Sequence, residues 1–230
     1  MKIAICDDDS IIRLITSKSL LQYSEKYDCK IEVKTFSSGE ELLESPIAFD
    51  IILLDIIMEG IDGIETAYRL KERDNNAKVI LLTSCQERFK DGFKIQAYRF
   101  MTKPLALEEL EEYMNDARKD ILLDKELVFR KDGIKIKLSM RKILYLSAQS
   151  GYTEVWTDTD MYRSKKSLSS WEEMLDLRLF YRCHKKFIVN LSHIEKIGSY
   201  VVMKNGERIQ SSRRKSVDLK RRFNDFDLSL

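Results

Sequence analysis

Short apolar runs alternate with amphipathic stretches through the first half of the chain. Lys2-Ile-Ala-Ile-Cys6 reads as a buried strand, and Ile31-Glu-Val-Lys-Thr-Phe36 alternates as a strand does. Ile51 to Leu54 carries no polar residue at all, the signature of a central parallel strand covered on both faces. Lys78-Val-Ile-Leu-Leu82 and Ala97-Tyr-Arg-Phe-Met101 complete a set of five strands. Between them the period changes toward 3.6. Ser10 onward predicts a helix with Ile11, Ile12, Ile15, Leu20 and Leu21 on its apolar face. Ser37-Ser-Gly-Glu-Glu-Leu-Leu predicts a capped helix start, with Glu40 or Glu41 placed for a capping box. Gly60 and Gly63 bracket a turn before a helix over Ile64 to Arg73, residues 86–95 predict a weak helix, and residues 106–121 a strong, Glu-rich one. Strand and helix repeated five times imply a parallel sheet with helices on both faces.

After residue 126 the period drops to two. Leu127 to Leu138 predicts a hairpin about Asp132-Gly133, with Ile134, Ile136 and Leu138 alternating with Lys135 and Lys137. Ile143-Leu-Tyr-Leu, Gly151 to Thr157 and Asp160 to Ser164 read as strands. Ser167 to Leu177 predicts the one convincing helix of the middle, with Leu168, Trp171 and Leu175 on one face. Tyr200 to Gln210 predicts a second hairpin about Asn205-Gly206, and Ser211-Ser-Arg-Arg-Lys opens a basic terminal helix reaching Arg222-Phe223. The change of period marks two domains, residues 1–121 and 127–230. Between them 122–126 forms a short charged joint without Gly or Pro, onto which the last helix of the first domain can run.

Charge sharpens that division. The 230 residues carry a net +2, but residues 1–121 hold 17 Lys and Arg against 24 Asp and Glu, and residues 122–230 hold 23 against 14. The halves therefore stand at −7 and +9, which suits two different partners, the basic half meeting phosphate-rich nucleic acid. No segment is long and apolar enough to cross a membrane, and the opening residues turn acidic too soon for a signal peptide. Cys6, Cys29, Cys85 and Cys183 show no metal spacing and read as reduced thiols of a cytoplasmic protein.

The chemistry collects at strand ends. Asp7-Asp8 follow the first strand, Asp55 ends the third, Thr83 ends the fourth, and Lys103 follows the fifth. In an open α/β sheet the ligand crevice lies at that edge. Three crowded carboxylates repel each other and do not all ionise unaided; a divalent cation resolves this, and hard oxygen donors select Mg2+. Lys103 neutralises a further negative group, and Lys103-Pro104 suggests a constrained, cis-capable peptide that aims it. A phosphohydrolase with an aspartate nucleophile is the competing enzyme reading. Ile57 speaks against it, since the second acid of a DxD nucleophile motif belongs there.

Residues 1 to about 121 resemble a response-regulator receiver domain: Asp7-Asp8, Asp55 in Ile-Leu-Leu-Asp, Thr83 in Leu-Leu-Thr-Ser, and Lys103-Pro104 carry the resemblance. It implies a flavodoxin-like α/β fold with strand order 2-1-3-4-5. It also implies Asp55 as phosphoacceptor and Mg2+ on Asp8, Asp55 and the Ile57 carbonyl, with Asp7 helping through water. Thr83 and Lys103 then meet the phosphoryl group, and Phe100 is the switching aromatic. Receivers often carry Pro where this chain has Glu59, which changes the loop beside Asp55 but touches no ligand.

The second half has basic clusters at joints between elements, Arg182-His184-Lys185-Lys186 and Arg213-Arg214-Lys215, placed for DNA contacts. Phe180-Tyr-Arg-Cys-His-Lys-Lys-Phe-Ile-Val-Asn190 with Ile194-Glu-Lys-Ile197 resembles the hallmark of LytTR DNA-binding domains, a mainly antiparallel β fold. That class includes AgrA-like quorum-response regulators. By position, Tyr152 falls in the first DNA-contacting loop, His184, Lys185 and Lys186 in the second, and Arg213 and Arg214 in the third, with His193 left at the surface. AgrA-like members have His and Asn at positions 152 and 185, so base preference does not carry over. The expected protein is a transcriptional regulator phosphorylated on Asp55 by a sensor histidine kinase. Phosphorylation would then promote a homodimer on direct-repeat sites in double-stranded DNA. A receiver-controlled protein-interaction module and a phosphorylation-independent DNA-binding regulator are the alternatives.

Overall fold

The computed structural model describes residues 1–73, 75–84, 88, 90, 92, 95–131 and 134–228. The weak helix expected over 86–95 and the turn expected at Asp132-Gly133 fall largely or wholly outside them, as does Cys85. The chain forms two compact units, Met1–Ala117 and Arg118–Leu230.

The first unit is a parallel sheet of β1 (Lys2–Cys6), β2 (Glu32–Phe36), β3 (Ile51–Asp55), β4 (Lys78–Thr83) and β5 (Arg99–Thr102), in the order β2-β1-β3-β4-β5. All five residues of β3 are buried, which is why the sequence affords no alternation there: both faces are covered. Around it lie α1 (Ser10–Lys26), α2 (Gly39–Glu44), α3 (Gly63–Glu72) and the start of α4 (Leu107–Asp124). The caps are as sequence chemistry requires. The Asp9 carboxylate accepts from the amides of Ile11 and Ile12, the Ser38 hydroxyl from Glu41, and Asp62 from Glu65. The Glu41 carboxylate returns to the Ser37 amide at 2.7 Å, one residue outside the expected box.

The apolar face expected for α1 is corrected in part: Leu20 is buried as expected, but the rest of the face is shifted. Thr16, Leu20 and Tyr23 are the buried positions, while Ile11 (64 % exposed), Ile15 (49 %) and Leu21 (56 %) point outward with Leu14. The reason is that α1 carries aliphatic residues on two faces. The sheet selects the face on which Tyr23 reaches inward, its hydroxyl donating to Asn115 Oδ1 at 2.7 Å.

The second unit is built on an antiparallel sheet in the order β10-β9-β8-β12-β11. Its strands are β8 (Ile143–Gln149), β9 (Tyr152–Thr157), β10 (Met161–Ser164), β11 (Phe180–His184) and β12 (Phe187–Asn190). Both faces are covered, and the side chains divide with period two. Phe180, Ile188, Leu146 and Val155 join the core formed with the hairpin β6 (Glu126–Lys131) and β7 (Ile134–Ser139) and with α5 (Leu168–Met174), whose Trp171 is fully buried against Phe129. Tyr181, Cys183 and Val189 face the other way. They pack on β13 (Ile194–Ile197), β14 (Val201–Met203), β15 (Arg208–Ile209) and α6 (Arg213–Leu228). Gly206 takes φ +84° in the β14–β15 turn, a conformation that favours glycine. The helix expected over Ser167–Leu177 is shorter, ending at Met174 with Leu175 extended.

Asn190 explains one letter of the hallmark segment. It is fully buried, its Nδ2 donates to the carbonyls of Met140 (3.1 Å) and Ile143 (2.8 Å), and its Oδ1 accepts from Ser192. Asn190→Ala leaves two buried carbonyls unpaired, so we expect a loss of about 2–3 kcal/mol by chemical denaturation of this unit. A loss under half a kcal/mol would remove the structural role.

Candidate functional site

Asp55 stands at the carboxyl end of β3 because the strand register delivers it there, opposite Leu82 of β4. The next residues turn tightly. Ile56 donates to the Leu82 carbonyl, and Gly63 donates back to the Ile56 carbonyl at 3.0 Å. A Cβ on Gly63 would overlap the carbonyl oxygen of Asp55, so the α3 start and the Asp55 backbone are in direct contact.

Asp7 is fully buried and Asp55 is 4 % exposed, while Asp8 is exposed. Their ligand atoms lie within 4.8 Å of one another. Between them comes Lys103, whose ammonium sits 2.7 Å from both Asp7 and Asp55. The Lys103–Pro104 peptide is cis. Burial pushes the Asp55 carboxyl above the ordinary carboxylate range, against the opposing pull of Lys103. Burial alone would lower the Lys103 ammonium, but its bonds to Asp55 and Asp7 win and raise it. Asp8 accepts the Glu59 amide at 3.3 Å, so the residue standing where receivers often have Pro orients a carboxylate through its backbone. Ile57 donates its amide to Asp55 Oδ1 at 3.4 Å, and its side chain is exposed.

Thr83 ends β4 fully buried, beside Thr102 on β5. Phe100 lies on β5 with its ring over the Gly92 backbone. Among the described residues, Asp7, Asp8, Asp55, Ile57, Thr83 and Lys103 gather at one sheet edge, as the strand-end pattern implies. One contributor was not visible in the sequence: Arg13, one turn into α1, donates through Nη1 to the carbonyls of Asp7 and Asp8. Nothing marks such a residue in a linear pattern, since it acts on backbone oxygens through the helix start.

In the second unit the antiparallel pairing decides which loops share an end. The β8–β9, β10–α5 and β11–β12 connections all lie at one end of the central sheet. The Ser212 amide donates to Cys183 O at 2.9 Å, which brings the start of α6 to the same place. Tyr152, His184, Lys185, Lys186, Arg213 and Arg214 are therefore gathered by the fold. Tyr152 lies under the guanidinium of Arg163, 5.1 Å from its ring centre. Lys185 and Lys186 form the exposed turn between β11 and β12, and Ala148 donates to Lys186 O at 2.8 Å, tying that turn to β8.

Arg182 is differently engaged. Its Nη1 donates to Ser169 Oγ and Glu172 Oε2, both at 3.1 Å, and its Nη2 to Lys185 O at 3.2 Å. It braces the Lys185 turn from behind. Lys215 donates to Arg182 O at 2.9 Å. These residues border a cleft of about 440 Å³ also lined by His184 and Ser212. Burial pushes the Cys183 thiol up to about 12, which keeps it protonated and poorly nucleophilic. His193 bonds the Arg141 carbonyl at 2.6 Å, a surface role outside this end. No helix among the described residues is long and apolar enough to cross a membrane.

Comparisons with known proteins agree with this division. Residues 3–115 match the family model of the response regulator receiver domain, and residues 134–224 that of the LytTr DNA-binding domain. The sensory transduction protein LytT of Bacillus subtilis is 22 % identical over 241 residues, spanning 96 % of this chain and 98 % of that protein. The transcriptional regulatory protein LytR of Staphylococcus aureus is 23 % identical over 244 residues, with the same coverage, 96 % and 98 %. Among solved structures, the response regulator TrrA of Thermotoga maritima in complex with Mg(2+)-BeF is 29 % identical, covering 50 % of this chain and 97 % of that one, with TM-score 0.45. A LytTr DNA-binding domain from Bacillus cereus is 28 % identical over 42 % of this chain and 94 % of that one, with TM-score 0.39.

Proposed function

This chain is a DNA-binding two-component response regulator, a receiver domain followed by a LytTR DNA-binding domain, and on that premise we propose that a sensor histidine kinase phosphorylates it on Asp55. The observation that carries the reading is the Lys103 ammonium held 2.7 Å from two buried carboxylates, one of which ends the central strand. Burial holds the Asp55 carboxyl above its ordinary range, and the Lys103 ammonium opposes that shift by favouring the carboxylate, the form that can attack phosphorus.

The three carboxylates fit a hard divalent ion: Asp8, Asp55 and the Ile57 carbonyl would hold Mg2+, Asp7 would help through water, and the ion would supply charge neutralisation on the incoming phosphoryl group. The rest is the work of the chain. An Asp55 carboxylate oxygen attacks phosphorus, the P–N bond of the donor phosphohistidine breaks, and its electron pair stays on the imidazole. Lys103 meets the added negative charge on the phosphoryl oxygens, and the Thr83 hydroxyl donates to one of them. Drawing Thr83 toward the phosphoryl group opens space beside β4 into which the Phe100 ring turns. Two packings of the unit are thereby biased by one modification. Pairing of two receivers then presents two basic units to direct-repeat half-sites, and two weak contacts become one tight one.

The test is a fluorescence-anisotropy titration of the full chain on duplexes from the upstream regions of its own genome, with and without an acyl-phosphate donor and Mg2+. We expect tighter binding with the donor. Lys185→Ala and Arg214→Ala should each weaken binding without changing the melting of the protein. Equal affinity with and without donor would leave a DNA-binding regulator that phosphorylation does not control.

A further inference from the structure

The three loops account for most of the basic end of the central sheet but not all of it. The connection from β10 to α5 lies there too. Ser164 pairs in register with Thr153, so the following residues, Lys165 and Lys166, emerge beside Tyr152. We infer that this turn is a fourth DNA-contacting element, with Lys165 and Lys166 binding backbone phosphates beyond the edge of the three loops. The inference rests on the DNA-binding reading of this unit and extends it to residues outside that set.

Three observations carry it. First, the turn is held fixed from below. Thr153 Oγ1 donates to Lys166 O at 2.8 Å, and the Lys166 amide donates to Ser164 Oγ at 3.2 Å. Both anchoring side chains are buried, Thr153 and Ser164 alike. A backbone so tied need not itself be ordered on binding, which leaves only the side chains to lose freedom.

Second, both lysine side chains are exposed, and neither has an ion-pair partner among the described residues. Arg182, at the same end, is bound to Glu172; the carboxylate of Glu154 is turned inward to Ser147, Gln149 and Trp156. Among the described residues no carboxylate forms an ion pair with Lys165 or Lys166. Two unpaired ammonium groups on a fixed turn suit backbone phosphates, which a compact point charge can serve without the fixed fork geometry of arginine.

Third, the location is right for lengthening the footprint. β10 is the edge strand opposite β11, so the turn lies three to four strand spacings from the Lys185 turn, which joins β12 and β11. At about 4.8 Å per strand this separates the two by roughly 14–19 Å, close to half a turn of duplex. Arg163, stacked on Tyr152, makes the two sites continuous.

The experiment uses the full chain and two probes: a duplex enriched from random sequence by the wild-type chain, and a scrambled duplex of the same length. Association constants are measured across a salt series for the wild type, for Lys165→Gln/Lys166→Gln, and for Lys165→Arg/Lys166→Arg. Each lost phosphate contact lowers the slope of log K against log salt by about 0.9, so the glutamine pair should flatten it by about 1.8 on both duplexes. The ratio of affinities for the two duplexes should stay at the wild-type value, and the arginine pair should keep the wild-type slope. An unchanged slope in the glutamine pair would overturn the inference while leaving the other loops in place. A fall in the affinity ratio without a change of slope would overturn it in favour of base contact. No binding of wild type to either duplex would sink the DNA-binding reading and this inference together.

Discussion

Asp55→Asn is expected to accept no phosphoryl group from an acyl-phosphate donor and to lose the whole donor-dependent gain in DNA affinity. The amide has the shape of the carboxylate but no anionic oxygen to attack phosphorus, so loss of chemistry is complete rather than graded. The gain that disappears should be about 5- to 150-fold, the usual range for a coupling free energy between two sites. The variant should nevertheless fold well. Asp55 is 4 % exposed and burial works against its charge, while Lys103 keeps Asp7 as a partner after the change. Melting at or above the wild-type temperature, with no phosphoryl adduct by intact mass, is the expected pair of results. An adduct on the variant would place the phosphoacceptor elsewhere.

Lys103→Met should do the reverse, costing stability more than shape. The ammonium lies between Asp7 and Asp55, and its removal leaves two buried carboxylates facing each other. Breaking a buried pair in this way costs about 3–5 kcal/mol. At neutral pH without metal, the receiver melting transition should fall by on the order of 15 °C. Millimolar Mg2+ should restore much of that loss, because the added charge replaces the missing ammonium and binds the folded form alone. Differential scanning calorimetry with chelator and with Mg2+ separates the effects. A variant that melts like the wild type in chelator would show that the ammonium has no structural share in the site.

Much of this site was legible because a parallel sheet converts sequence order into spatial proximity. Each strand ends at the same edge, so Asp7, Asp55, Thr83 and Lys103, far apart in the chain, needed only the strand ends to be read correctly. Arg13 was not legible, because its contacts are with the carbonyls of Asp7 and Asp8, and backbone oxygens leave no mark on composition. The face of α1 was misread for a different reason. Ile11, Ile15 and Leu21 offered a stripe as apolar as the one chosen, and periodicity cannot say which of two stripes the sheet will take; Thr16 and Tyr23, weaker as signals, are the buried ones. In the second unit the basic clusters were legible as clusters. Their convergence was not, since it depends on antiparallel register and on the Ser212–Cys183 bond. The same register reveals that Arg182, grouped by sequence with its neighbours, serves the turn from within.

The end of the central sheet that gathers the lysines has a counterpart. At the other end lie Asp158 and Asp160 of the β9–β10 turn, Lys142 before β8, and Arg178 tied to Asp176 before β11, so the charges there nearly cancel. The central sheet of this unit thus has one strongly basic end and one nearly neutral end, and a field acts on that difference as a torque. A polyanion would turn the basic end toward itself before any atom touches, so fewer encounters are wasted on wrong orientations.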